Sequence, residues 1–305
     1  MPITSNRAGV HRLNKVQNLA GISSIAAALI RTCRRPYGNT RAWGYGSNQQ
    51  RWFRALGTVL LANFLAIPTV FGDRLTLPGI KGPDDRQSVE AVSYPWSAIG
   101  RVNKSTGGFC TGSVIAGTIV LTAAHCVWNK RTRNWLPPES LHFVAGYNRG
   151  AYLVHSGVTA IRVAASRRPD GAKSAPEDDW ALLTLKRDIL QTTGRLALAA
   201  ADGSDEPDEQ VSQSTVLQAG YSQDRAHILT RHSGCRVHHY LRQKRLILHD
   251  CDATKGDSGS PILVFRGEKP AILGIHVATG RARGRDWGIA LHVSAFADQV
   301  TVGQD

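Results

Sequence analysis

From residue 94 onward, short apolar runs alternate with turn residues, and no run keeps a helical period for a useful length. Tyr94–Val102, Phe109–Ile115, Thr118–Thr122 and Trp180–Leu185 read as strands, and so do Thr215–Ala219 and Arg245–His249. Pro261–Phe265, Ala271–Val277 and Trp287–Val293 close the series. Without helices between the strands, a parallel sheet of βαβ units is disfavoured and an all-β sandwich or barrel is expected. The acidic, proline-containing stretch Ala199–Gln213 reads as an exposed crossing between two β units. A short helix is expected after Ser294, with Ser294 as its N-cap.

The first 72 residues follow a different pattern. Two apolar runs, Leu19–Ile30 and Ala55–Gly72, sit among nine basic residues and no acidic one. A basic flank (Arg51-Trp-Phe-Arg54), an apolar run and then small residues make a secretory signal, with cleavage before Asp73. A retained membrane anchor is the competing reading, against which Asn63 and Pro68 count. Residues 73–90, rich in Gly, Pro and Asp, read as a linker ahead of a folded domain at 91–305.

This division changes the meaning of the charge. The chain of 305 residues carries a formal +14, yet residues 73–305 hold 28 basic against 23 acidic groups, a net of +5. The basic excess belongs mainly to the leader, and no nucleic-acid-binding motif accompanies it, so a nucleic-acid partner is not expected. Cys33 falls in the leader. Cys110, Cys126, Cys235 and Cys251 remain, an even number suited to two disulfides in an exported protein, with three pairings open. His232, Cys235, His238 and His239 lack the second ligand pair that a zinc site requires, and no metal or other cofactor is expected.

Three segments carry candidate chemistry: Thr122-Ala-Ala-His-Cys126, Glu177-Asp-Asp-Trp-Ala-Leu-Leu183 and Lys255-Gly-Asp-Ser-Gly-Ser-Pro261. A serine hydroxyl needs a base to take its proton, and a carboxylate that orients an imidazole supplies one. In this order and spacing the segments resemble the chymotrypsin-like (trypsin-fold) serine proteases. Gly-Ser-Pro after the serine is similar to the bacterial exported branch that includes the glutamyl endopeptidases. The resemblance covers about residues 90–300.

It implies two antiparallel six-stranded β-barrels with a short C-terminal helix, and a secreted or periplasmic serine endopeptidase acting on protein or peptide substrates. It assigns His125, Asp179 and Ser258 as the triad, with Asp178 as the rival acid, and the backbone N–H groups of Gly256 and Ser258 as the oxyanion hole. It implies a Cys110–Cys126 bridge, which leaves Cys235 and Cys251 for the second. An esterase and a silent homologue acting as a binding protein are the alternatives, although a silent member usually lacks a triad residue and this chain keeps all three.

Two residues compete as substrate-binding groups. Asp252, six positions before Ser258, stands where trypsins keep the aspartate that binds Arg or Lys. Gly274-Ile-His276 resembles the segment whose histidine meets the substrate glutamate in glutamyl endopeptidases, with Arg281, Arg283 and Arg285 following. Ala253 replaces the threonine of that pattern. No Arg-Ile-Val-Gly-Gly junction is present to supply a new N-terminus for Asp257, so an enzyme competent once its signal is removed is expected.

Overall fold

The computed structural model describes residues 77–166, 175–200, 215–282 and 284–301. The leader, Cys33, the start of the linker, Arg283 and the acidic residues of the crossing lie outside them. All described residues belong to one compact unit, Gly72–Asp305.

Twelve strands form two closed antiparallel barrels, as the resemblance implied. The first contains β1 Ile99–Lys104, β2 Phe109–Ala116, β3 Ile119–Ala123, β4 Leu141–Ala145, β5 Val154–Val163 and β6 Trp180–Leu185. Its order around the barrel is β1-β2-β3-β6-β5-β4, closed by β4 on β1. The second contains β7 Thr215–Gly220, β8 Leu229–Leu241, β9 Leu246–His249, β10 Pro261–Arg266, β11 Lys269–Ala282 and β12 Arg285–His292. Pairing runs β7-β8-β9-β12-β11-β10 and returns to β7, so the second barrel repeats the strand order of the first.

Inward-facing Val102, Leu121, Phe143 and Leu183 are fully buried in the first barrel, and Ile247, Ile262, Leu263 and Leu291 in the second. Each such side chain contributes roughly 1.5–3 kcal/mol of hydrophobic stabilisation. A bulge between His276 and Ala278 breaks the alternation of β11. Consequently His276 and Val277 are both buried, while Ala278 and Thr279 are both exposed.

The structure corrects several local expectations. Tyr94–Ala98 is not strand: Pro95 follows a cis peptide bond and Trp96–Ala98 is a 3-10 turn. Ser294 does not cap a helix; it lies in the 3-10 turn Val293–Ala295, donates its N–H to His292 Nδ1, and the helix spans Ala297–Thr301. The chain reaches the second barrel before the acidic stretch, because Ala197–Leu198 already pairs in parallel with β11.

The described part of the linker is a bonded strap. Gln87–Val89 extends the second barrel along β8. Arg86 is buried and bonds Asp84 and Asp224, and Lys81 donates its backbone N–H to Asp252.

Candidate active site

His125 sits in the 3-10 turn Ala124–Val127 that follows β3. Asp179 ends the turn Pro176–Asp178 just before β6, the strand paired with β3. The pairing brings the two together. Asp179 Oδ1 accepts the His125 backbone N–H at 2.8 Å, and Oδ2 accepts from the ring Nδ1 at 2.7 Å. The rival Asp178 faces elsewhere, accepting from the Ser166 hydroxyl at 2.6 Å and lying 3.8 Å from the Arg245 guanidinium.

Ser258 comes from the loop between β9 and β10, across the seam between the barrels. Thr111 of β2 holds that loop with two groups and ties Tyr221 to it. Its N–H donates to the Ser258 carbonyl at 2.9 Å, its hydroxyl donates to the Gly256 carbonyl at 3.0 Å, and the same hydroxyl accepts the Tyr221 N–H at 2.9 Å. Two glycines make the approach possible. Gly256 has φ +97° and Gly259 φ +85°, and a Cβ at Gly259 would lie 2.2 Å from the Thr111 carbonyl. The N–H groups of Gly256 and Ser258, and the Ser258 hydroxyl, have no hydrogen-bond partner among the described residues.

The two disulfides are Cys110–Cys126 and Cys235–Cys251. The first joins the residues beside Thr111 and His125; the second ends beside Asp252 and the serine loop. Asp257 is buried, accepts from the Ser222 hydroxyl at 2.7 Å and the Thr254 N–H at 2.8 Å, and is pushed up to about 6 by burial.

Beside Ser258 opens a cleft of about 390 Å³ bordered by Ala253, Lys255, His276, Thr279, Arg281 and Asp286, with Gly79 of the strap. Sequence reasoning missed the group that governs it. His249, buried at the end of β9, places Nε2 at 3.1 Å from His276 Nδ1, and its own Nδ1 accepts the Cys251 N–H at 3.2 Å. A neutral imidazole carries one proton, so the His249 proton resides on Nε2 and is given to His276 Nδ1. The proton of His276 therefore resides on Nε2, the ring atom left for the cleft. Both rings are held neutral. Burial, then the charges of Lys81 and His125, push His276 down to about 3, and burial with the His276 and Lys81 charges pushes His249 well below its ordinary value.

Asp252 does not border the cleft. It is buried and already engaged, accepting N–H groups from Lys81 at 2.7 Å and Asp85 at 3.2 Å with His232 Nδ1 at 3.4 Å. Its carboxylate anchors the strap. Of the arginines, Arg281 borders the cleft and lies 4.0 Å from Asp286, whereas Arg285 stacks on Trp287. Several of the possible metal ligands have other duties. Cys110, Cys126 and Cys235 are in disulfides, His238 pairs with Asp250, and His232 Nδ1 accepts the Asp252 N–H.

The family described as Trypsin matches residues 85–300, both barrels and the strap's end included. The chain belongs to the trypsin family. Its trypsin-family domain is 28% identical over 213 residues to "Serine protease 23" of Mus musculus, covering 63% of this chain and 52% of that protein. It is 25% identical over 190 residues to "Glutamyl endopeptidase" of Bacillus licheniformis, covering 61% of this chain and 55% of that protein. These matches take in about half the length of each relative. A solved structure of Glu endopeptidase in complex with MPD shares the fold, with TM-score 0.60 and 22% identity over 74% of this chain and 99% of that one.

Proposed function

We propose that the trypsin-family domain is an exported serine endopeptidase in which His125, Asp179 and Ser258 act as base, orienting acid and nucleophile. The observation that carries this reading is the two-point bond from Asp179 to His125, which fixes the Nδ1–H tautomer and leaves Nε2 as the base. Ser258 Oγ attacks the substrate carbonyl as its proton passes to His125 Nε2. The negative charge on the carbonyl oxygen is met by the N–H groups of Gly256 and Ser258. His125 then gives its proton to the amine as the C–N bond breaks, and water repeats the sequence on the acyl-enzyme. The Ser258 hydroxyl engages His125 once substrate is bound, since catalytic hydrogen bonds often tighten only then.

The cleft favours an acidic side chain before the scissile bond. A carboxylate would accept from the neutral His276 Nε2–H and from the Thr279 hydroxyl, which has no partner among the described residues. Asp252 is engaged by the strap, and Asp286, the acidic residue bordering the cleft among the described residues, lies beside Arg281 at 4.0 Å, which offsets its charge toward a basic side chain.

A fluorophosphonate should label the oxidised protein and fail to label Ser258→Ala. Absence of labelling in the wild-type protein would sink the protease reading. A peptide panel varying only the residue before the cut tests the preference separately, and equal cleavage after Glu and Gln would remove it.

A further inference from the structure

Next to Gly256, among residues that do not border the cleft, a wall is built around one cation. A Cβ at Gly256 would lie 2.7 Å from the Phe109 ring, so Phe109 abuts the oxyanion loop. The Arg101 guanidinium lies 4.0 Å from the centroid of Phe109 and 4.7 Å from that of Tyr147. Its Nε donates to Asn103 Oδ1 at 3.1 Å and its Nη1 to the Ala226 carbonyl at 2.9 Å. Tyr221 fixes this wall from behind by donating its hydroxyl to the Tyr147 carbonyl at 3.0 Å.

Arg101 is half-buried, and no Asp or Glu pairs with it among the described residues. Elsewhere in this chain the buried arginine has a different setting, with Asp84 and Asp224 neutralising Arg86. A partly desolvated guanidinium with only neutral acceptors gains most from a carboxylate, which it can meet in a planar, charge-assisted bond. Contact with two rings and two hydrogen bonds already holds the group in place, so little freedom is left to lose on binding.

We propose that Arg101, racked between Phe109 and Tyr147, forms a leaving-side subsite that takes a carboxylate of the substrate. The placement rests on the protease reading, which sets the direction of the bound peptide. The residue after the scissile bond would pass over Gly256 and Phe109. The next one, about 3.3 Å further along an extended chain, would come to Arg101. The carboxylate is either an acidic side chain at that second position or the α-carboxylate of a peptide ending there.

Quenched peptides with one fixed cleavage site, carrying Asp or Asn at that second position, separate these cases. A parallel pair ends there as free acid or amide. Rates are referred to active sites counted with the fluorophosphonate. The expected wild-type kcat/KM ratio is about fivefold or more for acid over neutral in at least one pair, as for a charge-assisted bond near the surface. The ratio should fall toward one in Arg101→Met and be partly kept in Arg101→Lys. Arg101 also bridges the barrels through Ala226; a bridge alone would lower Tm in Arg101→Met and leave the ratio untouched, which overturns the subsite.

A wild-type ratio near one in both pairs overturns it as well, with labelling and cleavage intact, so that the protease reading survives. If no peptide is cleaved and nothing is labelled, the protease reading fails and the subsite with it. Should Arg101→Met not fold, the wild-type ratio must shrink as salt is raised from about 0.05 to 0.5 M, because an ion pair at the rim is screened. A ratio indifferent to salt would then overturn the subsite.

Discussion

Thr111 donates its backbone N–H to the carbonyl of Ser258 at 2.9 Å, so the strand carrying Cys110 is bonded directly to the loop from the opposite barrel. Its hydroxyl adds two further bonds, to Gly256 and Tyr221. Thr111→Val keeps the shape and the N–H but strands a carbonyl and an amide. Removing one partner of a buried pair costs about 1–3 kcal/mol, so Tm should fall and fluorophosphonate labelling slow by about tenfold. Unchanged labelling would show that the loop holds its geometry without the hydroxyl.

The adjacent aspartates should separate cleanly. Asp179→Asn removes the acceptor that fixes the His125 tautomer and should lower kcat by about 10⁴. Asp178→Asn loses only its contacts with Ser166 and Arg245, neither of which touches His125, so kcat should stay within about threefold of wild type. A large loss of kcat in Asp178→Asn would reverse the assignment.

The histidine pair makes stability depend on pH. His249 and His276 are depressed in the folded protein, so their contribution is complete above their ordinary value near ~6.5 and is lost as pH falls, for His276 toward about 3. Asp257 acts in the opposite sense. Raised to about 6, it contributes most below its unfolded value and loses that contribution as pH rises through about 6. Two depressed histidines against one raised carboxyl leave a net loss on acidification between about pH 6 and 4, on the order of 1 kcal/mol per pH unit. Urea midpoints measured across that window should fall with pH; a flat or rising series would contradict the neutral pair.

Each disulfide closes a loop with a sequence separation of 16. In the chain-entropy view, loss of the Cys235–Cys251 bridge through paired Cys→Ser changes should cost roughly 3 kcal/mol. Cys251 also presents its carbonyl to Lys81 Nζ at 2.5 Å. Peptide discrimination at the cleft should therefore weaken with stability, and a variant as stable as wild type would refute the brace.

Most of the architecture was legible because β2, β3, β6, β10 and β12 each carry a short, nearly continuous apolar run that is buried in the barrels. β4, β5 and β8 escaped notice. β8 reads Leu-Thr-Arg-His-Ser-Gly-Cys-Arg-Val-His-His-Tyr-Leu, and its polar outward face hides the few inward residues. The triad motifs were readable since each is local in sequence. His249, Thr111 and Arg101 were not, because each takes its meaning from a partner on another strand or loop. Asp252 is a similar case: position along the chain suggested a pocket, and its bonds to the strap were not readable there.

If residues 1–72 are removed as the export reading expects, that strap limits where the chain can be cut. Its Gly79 carbonyl accepts the Ala253 N–H at 3.1 Å, Lys81 secures Asp252, and Arg86 with Asp224 reaches Thr254, whose hydroxyl lies 2.6 Å from Asp224. A processing peptidase that cut within 79–86 would strip one wall of the cleft along with the leader. The N-terminus of the working enzyme, readable by intact mass, should therefore fall ahead of Gly79, and trimming beyond that point would amount to inactivation.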